Sequence, residues 1–299
     1  MNILSVDIGG TNFRIGLVAG DDSIMKFDKI PTESVVRSEH VLSDLADFLE
    51  AFTAGQQFDA AAIGFPATLD ASRTRVVQAP NLSFFENLSV CEILQQALRV
   101  PVLAERDVNF ALCYDMKKYL IPEQGLTCGI YFGTGIGNAI AIDGRPLIGR
   151  HGAAGELGHI PVPGSTIFCG CGNIGCMEAV AGGKALARLQ REQYPDTPIS
   201  EMFVRHAQEK PLAELVDNMA SAVATEVNIL DPDQVLLGGG VLNMTDFPRK
   251  TFIDCIFSHT RKPFPCQELS LIFTEDEAEK SVIGGAIYAR RMLRNETTA

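Results

Sequence analysis

Three cysteines, Cys169, Cys171 and Cys176, fall within eight residues of the 299-residue chain, in "CGCGNIGC". A histidine, His159, stands ten residues before the first. C-x-C-x4-C is too tight for the three to pair among themselves, and an odd number leaves one thiol over. Three thiolates and one imidazole match the ligand set of a closed, four-coordinate structural zinc site. Gly170, Gly172 and Gly175 would let the backbone turn between ligands. The competing readings are an accidental cysteine-rich loop and a knuckle for nucleic acid. The acidic chain and the absence of flanking basic residues oppose the knuckle.

A second group of residues suits phosphate. "DIGGTN", Asp7–Asn12, places a carboxylate at the end of an apolar run, then two glycines and a hydroxyl. Successive N–H groups in such a turn make an anion-binding concavity. Gly9 and Gly10 permit close approach, and Asp7 could hold Mg2+, an ion that takes one or two carboxylates and keeps its waters. "GTGIG", beginning at Gly133, offers a second turn and "GGG", Gly238–Gly240, a third. Each alone is as compatible with an ordinary strand connection. Neither G-x4-G-K-[ST] nor a G-x-G-x-x-G opening a helix is present.

Composition bounds the partners. With 37 acidic and 25 basic residues the formal net charge is −12, which argues against a general nucleic-acid binder. The chain is 46% hydrophobic and 21% charged, as a packed globular protein is. The opening "MNILSVDIGG" has no basic leader, and no apolar run approaches the roughly 18 residues that a membrane helix needs. Eight cysteines without a secretory signal suggest a reducing, cytoplasmic setting. Five of them, Cys91, Cys113, Cys128, Cys255 and Cys266, read as small core residues.

The elements that must position these residues are legible in outline. "NILSVDIGG" reads as a buried strand, and "FRIGLVAG" as its hairpin partner with Phe13, Ile15 and Leu17 on one face. "DAAAIGFP" and "VPVLAE" are further short strands. The spacing of Val90, Ile93, Leu94 and Ala97 predicts a helix between them. "TCGIYFGTGIGNAIAIDG" repeats the strand, glycine turn, strand design, and "DQVLLGGGV" runs a strand into glycines. A last helix is expected over 278–293, with Glu275, Asp276, Glu277 and Glu279 at its start and Arg290, Arg291 and Arg294 at its end. Asp107 reads locally as a cap for a helix over "VNFALCYDM".

"DIGGTN", "GTGIG", "GELGH", "CGCGNIGCME" and "LGGGV" together resemble the ROK family of sugar kinases and repressors, in that family's order. Within it, "GFPAT", "APNL", "RDVN", "GAAGELGHIPV" and "LGGGVLNMTDFPR" look most like its bacterial D-allose kinases. The resemblance implies an α/β protein of actin/hexokinase-like ATPase fold, two α/β domains around an interdomain cleft that takes ATP and a hexose. The expected small domain is residues 1–110 plus 278–299, closed by the last helix; the large domain is 111–277, with the zinc loop. Asp107 matches the family's catalytic base. Asn81, Arg106, Glu156, His159 and Glu178 match positions around the sugar. Gly9, Gly10, Thr11, Asn12, Gly133, Thr134, Gly135, Gly239 and Gly240 match the ATP-binding turns. His159, Cys169, Cys171 and Cys176 match the zinc ligands, with Asp7 for magnesium. Family members are often homodimers, and neither nucleic acid nor membrane is an expected partner.

Two departures stand out. The family's kinases mostly have Asn before the catalytic Asp, where this chain has Arg106; they mostly have Gly where "GFPAT" has Ala67. Both put glucose specificity in doubt. Arg106 could follow a displaced sugar hydroxyl, order Glu156 and Glu178, or pair with Glu105. The alternatives are a glucokinase, fructokinase or N-acetylmannosamine kinase of the family, an actin-like ATPase without a sugar, or a sugar-responsive repressor. The last carries a helix-turn-helix before the first phosphate turn, which here begins at Asp7.

Overall fold

Six consecutive buried residues make β1 (Ile3–Ile8) a strand that must lie inside a sheet covered on both faces. The computed structural model describes residues 1–38 and 40–296. Glu39 and residues 297–299, part of the expected small domain, lie outside the described residues. In chain order, β1 is followed by β2 (Asn12–Val18), β3 (Ile24–Pro31), α1 (Val41–Thr53), β4 (Ala60–Phe65), β5 (Thr68–Leu69) and β6 (Val76–Gln78). Next come α2 (Val90–Leu98), β7 (Val102–Arg106), α3 (Asp107–Lys118), β8 (Leu126–Phe132), β9 (Ile136–Ile142) and β10 (Arg145–Pro146). The rest is α4 (Gly183–Gln193), α5 (Met202–His206), α6 (Lys210–Leu230), β11 (Gln234–Gly238), α7 (Arg249–His259), β12 (Leu271–Phe273) and α8 (Lys280–Glu296).

The chain divides into two units. The first takes Met1–Ile121, Ile148–Ala154 and the stretch from Glu277 onward; the second takes Pro122–Leu147 and Gly155–Asp276. Each contains a five-stranded sheet, ordered β3-β2-β1-β4-β7 and β10-β9-β8-β11-β12. In both, the first three strands in chain order form an antiparallel meander, and the last two add in parallel to its first strand. The first glycine turn therefore joins β1 to β2, and the second joins β8 to β9.

Strand alternation sends the two faces of the first sheet into separate cores. Leu4, Val6, Ile8, Phe13, Ile15, Ala61 and Ile63 pack with Leu45, Leu49 and Leu94 from α1 and α2. Ile3, Val18, Ala60 and Ala62 pack with Phe110 of α3 and Val282, Ala286 and Ala289 of α8. In the second unit Ile130, Phe132, Val235 and Leu237 pack against α6 and α7 through Val216, Met219, Val223, Val227, Phe252 and Ile256. No described helix is long and apolar enough to cross a membrane.

Four local expectations need correction. Ile93 is 42% exposed, because α2 turns Val90, Cys91 and Leu94 inward instead. Helix α8 starts at Lys280, so its first turn holds no acid, and only Arg294 lies in its last turn. Arg290 is buried and donates to the carbonyls of Met1, Val18 and Ala19 and to Asp22, rather than serving the helix end. Of the five scattered cysteines, Cys255 is only half-buried.

Candidate active site

The first cluster forms where β1 runs into the glycine turn. Gly9 N–H donates to Asn12 O at 2.9 Å, which closes the turn. Thr32 secures it from outside, its hydroxyl donating to Gly9 O at 2.6 Å and its N–H to Thr11 O at 2.9 Å. Gly10 and Thr11 stay exposed, while Gly9 and Asn12 are half-buried. Asn81 lies across the turn, since a side chain on Gly10 would meet Asn81 Cβ at 3.3 Å.

Asp7 is 5% exposed. Its Oδ2 accepts from Ser281 Oγ at 2.6 Å and from Arg14 Nη1 at 3.0 Å. Burial raises its carboxyl above the ordinary value, against the opposing pull of Ser281 and Arg14. Neither partner was singled out from sequence. Arg14 had a signal, because a short turn between antiparallel strands puts it directly across from Asp7. Ser281 had none, being 274 residues away.

Asp107 opens α3. The cap position belongs to Arg106, and Asp107 occupies the first helical position, where a carboxylate is favoured by the helix dipole. Asp107 Oδ1 accepts Val108 N–H at 2.8 Å. Burial and the negative charge of Asp7 push its carboxyl up to about 7, opposed by Arg106, the Val108 N–H and Arg14. A carboxyl poised there can be either acid or base near neutral pH. Arg106 turns its Nη1 to Ala154 O at 2.7 Å, and its backbone N–H donates to Glu105 Oε1 at 2.8 Å. Ala67 packs against the first unit's core.

The second cluster surrounds the β8–β9 turn. The carbonyls of Gly133 and Thr134 accept the N–H groups of Gly183 and Lys184, each at 2.8 Å, so the start of α4 is sewn to the turn. Glu178 stands over Gly135: a Cβ there would lie 2.2 Å from Glu178 Oε2, so any side chain at 135 would push the Glu178 carboxylate aside. The third glycine turn joins this group through Val241 N–H, which donates to Phe132 O at 3.0 Å and sets Gly239 and Gly240 beside the end of β8.

His159, Cys169, Cys171 and Cys176 converge, their ligand atoms all within 4.8 Å of one another. A small hairpin brings them together, with bridges Pro161–Cys176 and Phe168–Ile174. Gly172 and Gly175 take the positive φ the sharp turns need, at 99° and 78°; Gly170 does not. Cys171 Sγ lies 3.6 Å from Cys176 Sγ, and Cys169 Sγ lies 3.7 Å from His159 Nδ1. The edges of a tetrahedron with metal–sulfur bonds of about 2.3 Å are about 3.7 Å long. The four side chains therefore fit a tetrahedral metal ion. Burial pushes the Cys169 thiol up to about 12, while the Asn173 N–H holds the exposed Cys171 below the ordinary thiol value.

The metal group and the conspicuous acids interlock. His159 Nε2, the nitrogen turned from Cys169, faces Glu156 Oε2 at 3.6 Å. Cys169 Sγ donates to Glu178 Oε1 at 3.2 Å. Glu178 thus touches both the cysteine loop and the second glycine turn.

A profile of the ROK family matches residues 3–292. The chain belongs to the ROK family. Among ROK relatives, it is 29% identical to a glucokinase of Thermotoga maritima over 271 residues, 81% of this chain and 82% of that protein. It is 27% identical to an N-acetylmannosamine kinase of Vibrio cholerae over 251 residues, 81% and 84% of the two chains. A ROK family glucokinase from Streptomyces griseus, solved in complex with glucose and AMPPNP, superposes with a TM-score of 0.81. That match covers 97% of this chain and all of the other at 24% identity, and it shows the shared ROK fold. The fold is the actin/hexokinase-like one, and the two relatives named by sequence are themselves sugar kinases.

Proposed function

We propose that the protein transfers the γ-phosphoryl group of ATP to the 6-hydroxyl of D-allose. The observation that carries the phosphoryl-transfer part is Asp107, a carboxyl held near 7 beside Asp7 and the first glycine turn. In the proposed step the sugar O6 attacks the γ-phosphorus, an O6–P bond forms, the bond to the β-phosphate oxygen breaks, and ADP leaves. Asp107 accepts the O6 proton as nucleophilicity develops, worth roughly 10²–10⁴-fold. The Thr11 hydroxyl and the N–H groups of Gly10 and Thr11 in the first unit, and the N–H groups of Thr134 and Gly135 in the second, are the groups assigned to ATP phosphates in this reading. Charge stabilisation of this kind does most of the work in phosphoryl transfer.

Asp7 would suit magnesium, since its hydrogen bonds from Ser281 and Arg14 both fall on Oδ2 and Oδ1 could serve the ion or one of its waters. Magnesium, bound with ATP, would neutralise phosphate charge. His159 Nδ1, Cys169, Cys171 and Cys176 would hold zinc, which would fix the imidazole's tautomer. Glu156, His159 Nε2 and Glu178 then supply acceptors and a donor for hexose hydroxyls.

The reading of D-allose rests on the sequence likeness of "GFPAT", "APNL", "RDVN" and "LGGGVLNMTDFPR". Its test is hexose-dependent ADP release over a panel of sugars. A misplaced hydroxyl leaves buried polar groups unpaired at roughly 1–3 kcal/mol. D-allose should therefore exceed D-glucose in kcat/KM by about tenfold or more. A preference for glucose, fructose or N-acetylmannosamine would reassign the sugar and leave the kinase in place.

A further inference from the structure

Seven residues make an unexpected excursion. The chain leaves the second unit at Leu147, contributes Ile148–Ala154 to the first, and returns at Gly155. The excursion closes on itself, with Ala154 N–H donating to Ile148 O at 3.1 Å. Two arginines of the first unit grip it by its main chain. Arg106 Nη1 donates to Ala154 O at 2.7 Å, and Arg73 Nη1 to Gly152 O at 2.9 Å. Gly152, at φ 79°, sits so close to the β5–β6 hairpin that a Cβ would lie 2.2 Å from Leu69 O.

The two arginines are themselves fixed by one acid. Glu105, fully buried, accepts the Arg106 backbone N–H at 2.8 Å and faces Arg73 Nε at 3.2 Å. Arg73 is 7% exposed and sits in a turn knotted by Asp70 Oδ1, which accepts the N–H groups of Thr74 and Arg75. A buried guanidinium needs a charge partner and hydrogen-bond acceptors, and Arg73 has Glu105 for the first and Gly152 O for the second. The gripped segment runs directly into Gly155, Glu156 and, three residues on, His159. What holds Ala154 sets where Glu156 begins.

We propose that Arg106, through Ala154, and Arg73, through Gly152, are positioning residues that set hexose specificity by fixing the entry to the Glu156–His159 segment. The proposal rests on the kinase reading. It assigns Arg106 to the protein's own backbone, not to a sugar hydroxyl.

Arg106, half-buried, is the residue to change. Arg106→Asn cannot reach Ala154 O, whereas Arg106→Lys keeps one donor on a long stem. Amide exchange of the ligand-free proteins should show residues 148–156 exchanging about tenfold faster in Arg106→Asn, with helix α3 unchanged and partial recovery in Arg106→Lys. Assayed at about pH 8.5, above the wild-type Asp107 value of about 7, Arg106→Asn should raise hexose KM about tenfold with a smaller fall in kcat. It should also narrow the ratio between the best and second-best hexose, and Arg73→Lys should do the same. Altered specificity with unchanged exchange over 148–156 would mean that Arg106 acts on the sugar directly and would overturn the proposal. So would faster exchange with unaltered KM and ratio, which would make the grip structural only. Wild-type protein that releases no ADP with any hexose would remove the kinase reading and this proposal with it. The exchange experiment would still report the grip.

Discussion

The two sheets share one strand order and each folds around a glycine turn, yet the turns have been furnished in opposite ways. The first, at Gly9 and Gly10, has its carbonyls taken by one threonine and is bordered by Asp7 and Asp107. Burial raises both carboxyls and the charge of Asp7 raises Asp107 further, while Ser281 and Arg14 oppose the rise at Asp7, and Arg106, the Val108 N–H and Arg14 oppose it at Asp107. The second, at Gly133 to Gly135, has no acid on its own strand. Its carbonyls are sewn to α4, and a carboxylate reaches it only from the cysteine loop. Under the proposed function, one backbone design would serve proton chemistry in one unit and a metal-braced binding surface in the other. The differences lie in what packs on the turn, not in the turn.

The comparison breaks most visibly at Asp107. Asp107→Asn keeps the size and removes the proton acceptor, so kcat should fall by roughly 10²-fold or more while hexose still binds. Near-normal turnover by the folded variant would reduce Asp107 to a helix-start residue and leave the first cluster without its distinguishing chemistry. In the second cluster, Cys171→Ser removes an exposed ligand with little core damage. Metal analysis should drop from about one zinc per chain, and hexose KM should rise by about 10–100-fold as His159 and Glu178 lose their brace. A disulfide between any two of these cysteines under reducing conditions would defeat the metal reading.

Finer cuts test the furnishing itself. Gly135→Ala drives a methyl into Glu178, whereas Gly133→Ala meets no neighbour within 4 Å. The first should raise hexose KM about tenfold and the second far less, with steady-state kinetics as the readout. Equal effects would show that Glu178 does not work from the turn. Ser281→Ala removes one hydrogen bond from Asp7 and should cost about fivefold in kcat/KM, most clearly at limiting magnesium. Calorimetry of Mg-ATP binding checks it without turnover.

The smallest effect is on stability. The Asp107 carboxyl is raised in the folded chain, so the folded state binds more protons than the unfolded one between the ordinary carboxyl value of 3.8 and about 7. Wild-type stability therefore declines through that window as pH rises. Asp107→Asn escapes the decline, and its Tm relative to wild type should improve by a few degrees between about pH 5 and pH 8. Over the same range, wild-type kcat/KM should rise as Asp107 loses its proton.

What the sequence disclosed was local. Strand, glycine turn and strand are contiguous, and four candidate metal ligands within eighteen residues stand out by type and spacing. The Asp7–Arg14 contact was within reach, since a hairpin register places them opposite. The hold of Ser281 on Asp7, of Arg106 on Ala154 and of Glu178 over Gly135 depends on which distant segments pack together, and nothing periodic announces that. Ile93 went astray because a helical stripe is wide enough for Cys91 to take its place. The start of α8 went astray because acids before a helix look like acids inside it.

Helix α8 follows every residue of the second unit in sequence, yet its Val282, Ala286 and Ala289 cover Ile3, Val18, Ala60 and Ala62, and its Arg290 caps the carbonyls at the end of β2. On a ribosome the chain emerges in the opposite sense to its completion. The N-terminal sheet appears first with one face covered only by α3, and must wait through the synthesis of the whole second unit for the rest of its cover. That unit has all its own residues before α8 is made and can settle earlier. The half carrying the proposed base is thus the last to be finished. A nascent chain arrested before Lys280 would hold its cysteine loop complete and its Asp7 without Ser281.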